Sequence, residues 1–253
     1  MPTSMQQNVR PDLEGELYTK VLAHLHETLQ PKTYFEIGTL HGDTLALSRC
    51  ASVAVDPEFR LNNLETIGKV FAKPSLAFFQ MGSDDFFAQN DPEVLLGGKI
   101  EFAFLDGMHR CEFLLRDFIN TEKSCKRNSI IALHDCLPVE TSMTGRVPSV
   151  MPPMKEHRKG WWAGDVWRTA LLLKRTRPDL SIVTLDSFAT GLLLITNLDP
   201  TSTMLAEGYS SHVKTMMRWS LDELGIAALF DELQVQSTSD FAMHEQVTAR
   251  FWL

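Results

Sequence analysis

Four ionisable side chains stand in two short motifs, and their types suit the handling of a hydroxyl group. FLDGMHR carries Asp106 and, three residues on, His109; LHDC carries His134 and Asp135. Each pair follows an apolar run, IEFAFL or IIAL, and so stands at the carboxyl end of an expected strand. Carboxylate oxygens suit a hard cation such as Mg²⁺, and an imidazole beside them favours Mn²⁺, Fe²⁺ or Zn²⁺. Asp106, His134 and Asp135 are therefore candidate ligands of a divalent ion, Mg²⁺ or Mn²⁺, that orients a hydroxyl and lowers its pKa. His109 is the candidate general base, grouped with Asp106 and Asp135 as catalytic residues. The competing explanation is a buried, satisfied His134 and no metal.

A second constellation has the chemistry to hold a ligand. FEIGTLHGDT places Glu36 at a strand end and Gly38, Thr39 and Gly42 in a tight turn leading to a helix. Glycine there lets a ligand approach the backbone, and a helix start offers free N–H groups. The spacing is G-x-x-x-G, with Leu40 where a dinucleotide fingerprint needs its middle glycine. A plain structural turn also explains these glycines. VAVD then ends a strand on Asp56, about 20 residues after Glu36, where a carboxylate can accept both hydroxyls of an adenosine ribose. Gly82-Ser83-Asp84 follows a third strand and can set a polar side chain against an adenine ring, unless Asp84 is a helix N-cap.

These residues need a scaffold that lines up strand ends. Strands are expected at Thr33–Ile37, Ser52–Val55, Ser75–Gln80, Ile100–Leu105, Ser129–Leu133, Ser181–Leu185 and Gly191–Thr196. Their apolar runs are nearly continuous, as in strands covered on both faces. Helical patterns fill residues 12–29, 43–50, 59–72, 109–126 and 165–177, and strand–helix alternation predicts a doubly wound parallel sheet. Asp186–Thr190 is too short for a parallel crossover, so the last two strands form an antiparallel hairpin. The expected fold is a Rossmann-like α/β domain: a mostly parallel seven-stranded sheet with an antiparallel last strand. It spans residues 1–200, opening with an N-terminal helical region at 1–30. A helical extension, 201–253, belongs to the same domain and includes a helical stretch at Met216–Phe230; it can pack on the sheet, cap the site or form a homo-oligomer surface.

Residues 137–160 contain four prolines and no strong period, which marks an active-site loop able to close over a substrate. Within it Lys155, His157, Arg158 and Lys159 form a basic patch or a solvated loop. In the following WWAGDVW, Asp165 reads as the N-cap of the next helix, Trp167 as core, and Trp161 and Trp162 as pocket walls. The net charge of −8 argues against nucleic acid as a partner. No apolar run reaches the ~20 residues of a membrane span, and MPTSMQQNVRPDLEGE has no secretory h-region. With four cysteines and no C-x-x-C spacing, a reduced, cytoplasmic setting without disulfides is expected.

Taken together, E-x-G-x-x-x-G, the V-D strand end, D-G-x-H, H-D and G-D-V-W resemble the class I S-adenosylmethionine (SAM)-dependent methyltransferases, specifically the methyltransferase-24-like family, over residues 30–198. The resemblance implies SAM contacts from Glu36, Gly38, Asp56 and the region of Ser83 and Asp84. Metal-dependent catechol-type methyltransferases are similar at Asp106 and at His109, where they carry lysine. Their Asp-Asn pair is Asp135-Cys136 here, so one neutral oxygen ligand is missing. The resemblance points to O-methylation of a small hydroxylated acceptor, a sugar or secondary metabolite. A SAM-fold regulatory module without turnover, a metal-dependent hydrolase using the same four residues, and an NAD-linked oxidoreductase are the rivals.

Overall fold

A computed structural model describes residues 9–148 and 156–253. Its main sheet contains β1 (Thr33–Ile37), β2 (Ala51–Val55), β3 (Leu76–Phe79), β4 (Ile100–Leu105), β5 (Cys125–His134), β6 (Ser181–Leu185) and β7 (Leu192–Thr196). The strand order is β3-β2-β1-β4-β5-β7-β6. The first five strands are parallel, and β7 lies antiparallel to both neighbours. The short β6–β7 link makes that reversal unavoidable. Strand order turns round between β1 and β4, and in open α/β sheets ligands gather outside the carboxyl ends at such a point.

Helices α1 (Tyr18–Leu29), α2 (Leu64–Phe71), α3 (Ser83–Gln89), α4 (Pro92–Leu96), α5 (Cys111–Lys123) and α6 (Trp167–Thr176) cover the sheet. Strand alternation sends Phe35, Ile37, Ala103, Leu105, Ile131 and Leu133 into the layer shared with α5 and α6. The intervening Tyr34, Phe102, Phe104, Ile130 and Ala132 enter the layer shared with α1. By the same alternation Glu36 and His134 face the α1 layer. Full burial of each large apolar side chain contributes roughly 1.5–3 kcal/mol, which makes this sheet a rigid mount for the strand ends.

Three expected helices differ. The first begins at Tyr18 because Gly15–Leu17 is a short strand paired with Ser187–Phe188 in the β6–β7 link. That pairing is reinforced by the Ser187 hydroxyl donating to the Glu16 carbonyl at 2.6 Å. Residues 43–50 hold only a 3₁₀ turn at Leu45–Leu47, where the Ser48 hydroxyl donates back to the Leu45 carbonyl at 3.1 Å and competes with helical bonding. The stretch 216–230 is split among α8 (Tyr209–Arg218), α9 (Leu221–Leu224) and α10 (Ile226–Leu233), with α7 (Met204–Glu207) before them and α11 (His244–Thr248) after. Gly225, at φ +82°, supplies the backbone turn that separates α9 from α10. The extension packs on both faces of the sheet: Met216, Ile226, Leu229 and Leu233 join the α5–α6 layer, and Phe241, Val247 and Phe251 join the α1 layer.

Among the described residues no helix is long and apolar enough to cross a membrane. All four cysteines are buried and unpaired.

Candidate active site at the strand ends

Asp106 and Asp135 leave the ends of β4 and β5 side by side, and the two histidines fill the space between them. His109 Nε2 lies 3.3 Å from Asp106 Oδ1, and its Nδ1 lies 3.1 Å from Asp135 Oδ2. His134 Nδ1 stands 3.4 Å from Asp106 Oδ1 and 3.6 Å from Asp135 Oδ2. Acids and imidazoles therefore alternate around a closed ring. Burial disfavours charge on His109, but Asp135 and Asp106 outweigh it and raise the ring to about 9; the same contest raises His134 to about 10. The charge on His134 and the close approach of both rings in turn overcome burial and hold Asp106 well below the usual carboxylate range.

The backbone is bent to make this ring. His109 and Asp135 both lie in the left-handed region, at φ +53° and +60°, which side chains other than glycine adopt only when their surroundings demand it. The demand at His109 is visible. Its Nδ1 meets the Trp162 carbonyl at 2.9 Å, and its ring stacks on Trp162 with centroids 4.8 Å apart. Its own carbonyl accepts the Asp165 N–H at 3.1 Å. A Cβ on Gly164 would fall 1.9 Å from that carbonyl oxygen, so only glycine fits there.

Two further residues belong to the site and carried no signal in the sequence. Tyr18, the first residue of α1, lays its ring over His134 with centroids 4.0 Å apart. Burial, together with the charges of Asp106 and Asp135, pushes its phenol upward, so it stays a neutral donor. Thr190, in the β6–β7 link, donates a short hydrogen bond to Asp135 Oδ1. Neither sits in a motif; the fold alone brings them there.

Asp106, His134 and Asp135 each offer one ligand atom, all within 4.8 Å of one another. That donor set fits a divalent cation once His134 has released the proton that the two acids stabilise on it. Cys136 points elsewhere, its Sγ donating to the His134 carbonyl at 3.3 Å.

The cofactor-side residues fall into two groups. Asp56 ends β2 with Oδ2 accepting the Leu40 N–H at 2.9 Å and Oδ1 accepting the Glu58 N–H at 2.7 Å. Each oxygen keeps further acceptor capacity, so the carboxylate is oriented yet still able to bind a diol. Glu36, by contrast, is wholly buried beneath the turn, with Tyr34 donating a short hydrogen bond to its Oε2. Thr39 is also buried, and both its hydroxyl and Thr44 lie against Glu36. Glu36 and Thr39 brace the turn from below. Gly38 is demanded by the chain itself: at φ +89°, a Cβ on it would sit 2.0 Å from the Asp106 carbonyl oxygen. Gly42, at φ +78°, lies against Leu61.

Burial raises Glu36 to about 7, against the pull of Tyr34, Thr39 and Thr44. A folded pKa above the unfolded value means that the folded state holds its proton more tightly. The resulting stability is full below about pH 4.5 and lost as pH climbs through about 7. In thermal melts Glu36→Gln is expected to lose less stability than wild type between pH 5 and 8, by at most roughly 3 kcal/mol. Parallel pH dependences in the two proteins would refute it.

Asp84 is not the N-cap of α3, since Gly82 occupies that position. Both Asp84 oxygens are engaged by the Arg116 fork, at 2.7 and 2.6 Å, while Ser83 opens α3 behind it. Asp165 likewise does not cap α6, whose N-cap is Val166. Its Oδ1 instead accepts the Cys111 N–H at 2.8 Å and caps α5, 54 residues away in sequence. Trp167 is core, and Trp161 packs edge-on against Phe188.

The basic patch does not form as a surface feature. Lys155 lies outside the described residues, and Arg158 is buried, paired with Asp12 at 2.6 Å and with Glu140 at 2.9 Å. In the expected loop, Leu137, Val139 and Met143 are fully buried, and the Met143 carbonyl accepts the N–H groups of Ala163 and Gly164. This part is packed structure around the site. Residues 149–155 lie outside the described residues.

No family model and no curated protein matches the chain. Solved structures do. The SAH-bound methyltransferase PaMTH1 of Podospora anserina is 12% identical, with a TM-score of 0.50 over 72% of this chain and 78% of that one. The O-methyltransferase TomG of Streptomyces achromogenes, involved in tomaymycin synthesis and solved with SAM, is 14% identical, with a TM-score of 0.50 over 71% and 78%. The fold is that of the Rossmann-like methyltransferases. Against that fold, the ring of Asp106, His109, His134 and Asp135 lies beside the turning point of strand order, and Asp56 lies one strand beyond β1.

Proposed function

We propose that the protein is a SAM-dependent methyltransferase of the methyltransferase-24-like kind, acting on a hydroxyl of a small molecule. The observation that carries this is the convergence of four ionisable groups at the ends of β4 and β5, next to a cradle whose Asp56 is aimed by two backbone N–H groups. A ribose diol suits Asp56. Bound SAM would supply an activated methyl group.

The protein's part is to position the acceptor oxygen in line and take its proton. Positioning supplies most of the acceleration for so reactive a donor. Only the neutral His109 ring accepts a proton, so the proton that Asp135 and Asp106 stabilise on it must first pass to solvent, a loss favoured when an entering hydroxyl displaces the ring from one of those carboxylates. Asp106, His134 and Asp135 are the residues that would hold a divalent ion, Mn²⁺ suiting an imidazole-containing set, and such an ion would polarise the hydroxyl. The acceptor is a sugar or secondary metabolite in this reading. A second copy of the chain docking through the C-terminal helices is the expected assembly, and the cytoplasm the expected setting.

Calorimetry with SAM and its demethylated product, with and without Mg²⁺ or Mn²⁺, tests the reading. Binding of both is expected, and Asp56→Ala should weaken each at least tenfold while leaving the melting temperature within a few degrees. Absence of SAM binding under all conditions would refute the reading.

A further inference from the structure

Arg158 precedes Trp162, the residue stacked on His109, by one short turn of chain, and only 1% of it is exposed. Every nitrogen of its guanidinium is engaged. Nε donates to Asp12 Oδ1 at 2.7 Å, Nη1 to Glu140 Oε2 at 2.9 Å, and Nη2 to the Arg10 carbonyl at 2.7 Å. Residues 10–12, Glu140 and the limb at 156–158 therefore meet at one cation. The first two also pair directly: Val9 is bridged to Glu140, and the Arg10 N–H donates to the Val139 carbonyl at 2.7 Å. His157 Nε2 adds a contact with Asp12 Oδ2 at 2.8 Å.

Building on the methyltransferase reading for the part His109 plays, we propose that Arg158 is a positioning residue of the active site. Its clasp on Asp12 and Glu140 seats Trp162, and Trp162 seats the His109 ring between its two acids. Residues 159–166 belong to no helix or strand, so side chains and single backbone contacts must place them. On the downstream side Ala163 and Gly164 hang on the Met143 carbonyl. On the upstream side the hold is Arg158, whose carbonyl accepts the Trp161 N–H at 3.0 Å. Trp162 then gives both its carbonyl and its indole face to His109. A buried ion cluster is an expensive source of stability, since apolar packing of the same volume does as well; what this one adds is fixed geometry. The segment Val9–Asp12, remote from His109 in sequence, is thus the strap that holds the limb against the ring. Asparagine at position 12 would offer the guanidinium a single uncharged acceptor oxygen, which is too little to keep the fork in place.

The test reads the nuclear Overhauser contact between the Trp162 indole and the His109 ring, whose centroids lie 4.8 Å apart, beside calorimetry with S-adenosylhomocysteine. Asp12→Asn is expected to weaken that contact roughly fivefold or more, while affinity for S-adenosylhomocysteine changes less than about threefold. Arg158→Lys keeps the charge but loses the fork, and should weaken the contact in the same direction. It also replaces Asp12→Asn should that variant fail to fold. The control is Asp179→Asn, because Arg177 is equally buried and is held by Glu122 and Asp179 beyond the C-terminal end of α6. There the contact should stay as in wild type. A full contact in Asp12→Asn and Arg158→Lys, whatever their melting temperatures, would leave Arg158 a structural residue only. Equal weakening in Asp179→Asn would mean general loosening and would overturn the proposal as well. If wild type does not bind S-adenosylhomocysteine, the methyltransferase reading falls, while the Overhauser contact still decides separately whether the clasp seats the ring.

Discussion

Replacing His109 by alanine is expected to lower turnover by about 10²- to 10⁴-fold, the range that a positioned proton acceptor supplies. The ring is held by four contacts at once: Asp106, Asp135, the Trp162 carbonyl and the stacked indole. So complete an enclosure fixes where a substrate proton can go. It also means that His109→Ala leaves the Asp106–His134–Asp135 side of the ring in place, because His134 contacts both acids independently. Binding of S-adenosylhomocysteine should therefore change less than threefold while turnover collapses. Asp135→Asn should follow it in direction, since an amide cannot hold the ring as a carboxylate does, although Thr190 can still donate to it. Steady-state rates beside calorimetry decide the matter. A His109→Ala protein with near-normal turnover would remove the imidazole from the chemistry and leave the carboxylates as the proton acceptors.

Strand ends were legible in the sequence because a buried parallel strand announces itself as an apolar run, and the residue after the run is where a ligand can reach. Asp56, Asp106, His134 and Asp135 were found in that way, and the structure places the last three together with His109 in one ring. Roles that depend on contacts far apart in the chain were not legible. Asp165 looks like the cap of the helix it precedes, but that helix starts at Trp167 without a side-chain cap, while α5, packed beside it on the same face of the sheet, begins at Cys111 with an N–H that no carbonyl of its own helix accepts. Asp84 looks free until Arg116, one turn-and-a-half along α5, comes round to meet it. Gly38 and Gly42 are required by the chain itself, because the Asp106 carbonyl and Leu61 occupy the space that a Cβ would need. Their pattern records the packing of the turn against β4 and the loop after β2. Tyr18 enters the site only because Gly15–Leu17 pairs with the β6–β7 link and so sets where α1 begins, a long-range pairing with no periodic signature.

Asp165→Ala is the substitution outside the ring with the largest expected effect on stability, about 3 kcal/mol by chemical denaturation. Asp165 is 1% exposed and serves three donors: the Cys111 N–H, Arg146 at 2.6 Å and Arg168 at 2.8 Å. Loss of a helix cap alone costs about 1 kcal/mol. Removing one side of a buried ion pair costs about 3–5 kcal/mol when the partner is stranded. Here the stranding is partial, because Arg146 keeps Glu112 at 2.5 Å and Arg168 keeps the Trp219 carbonyl at 2.8 Å, which sets the figure at the lower end. Asp165→Asn retains an acceptor for Cys111 and should lose only part of this. The effect reaches the active site as well, since the Asp165 side chain, clasped to α5 and the two arginines, anchors the backbone whose N–H meets the carbonyl of His109. Turnover should therefore fall in Asp165→Ala by more than the loss of folded protein explains, and recover in Asp165→Asn. A denaturation midpoint within 1 kcal/mol of wild type would show that the two arginines relax into solvent, and that the clasp between α5 and α6 contributes little to holding the ring together.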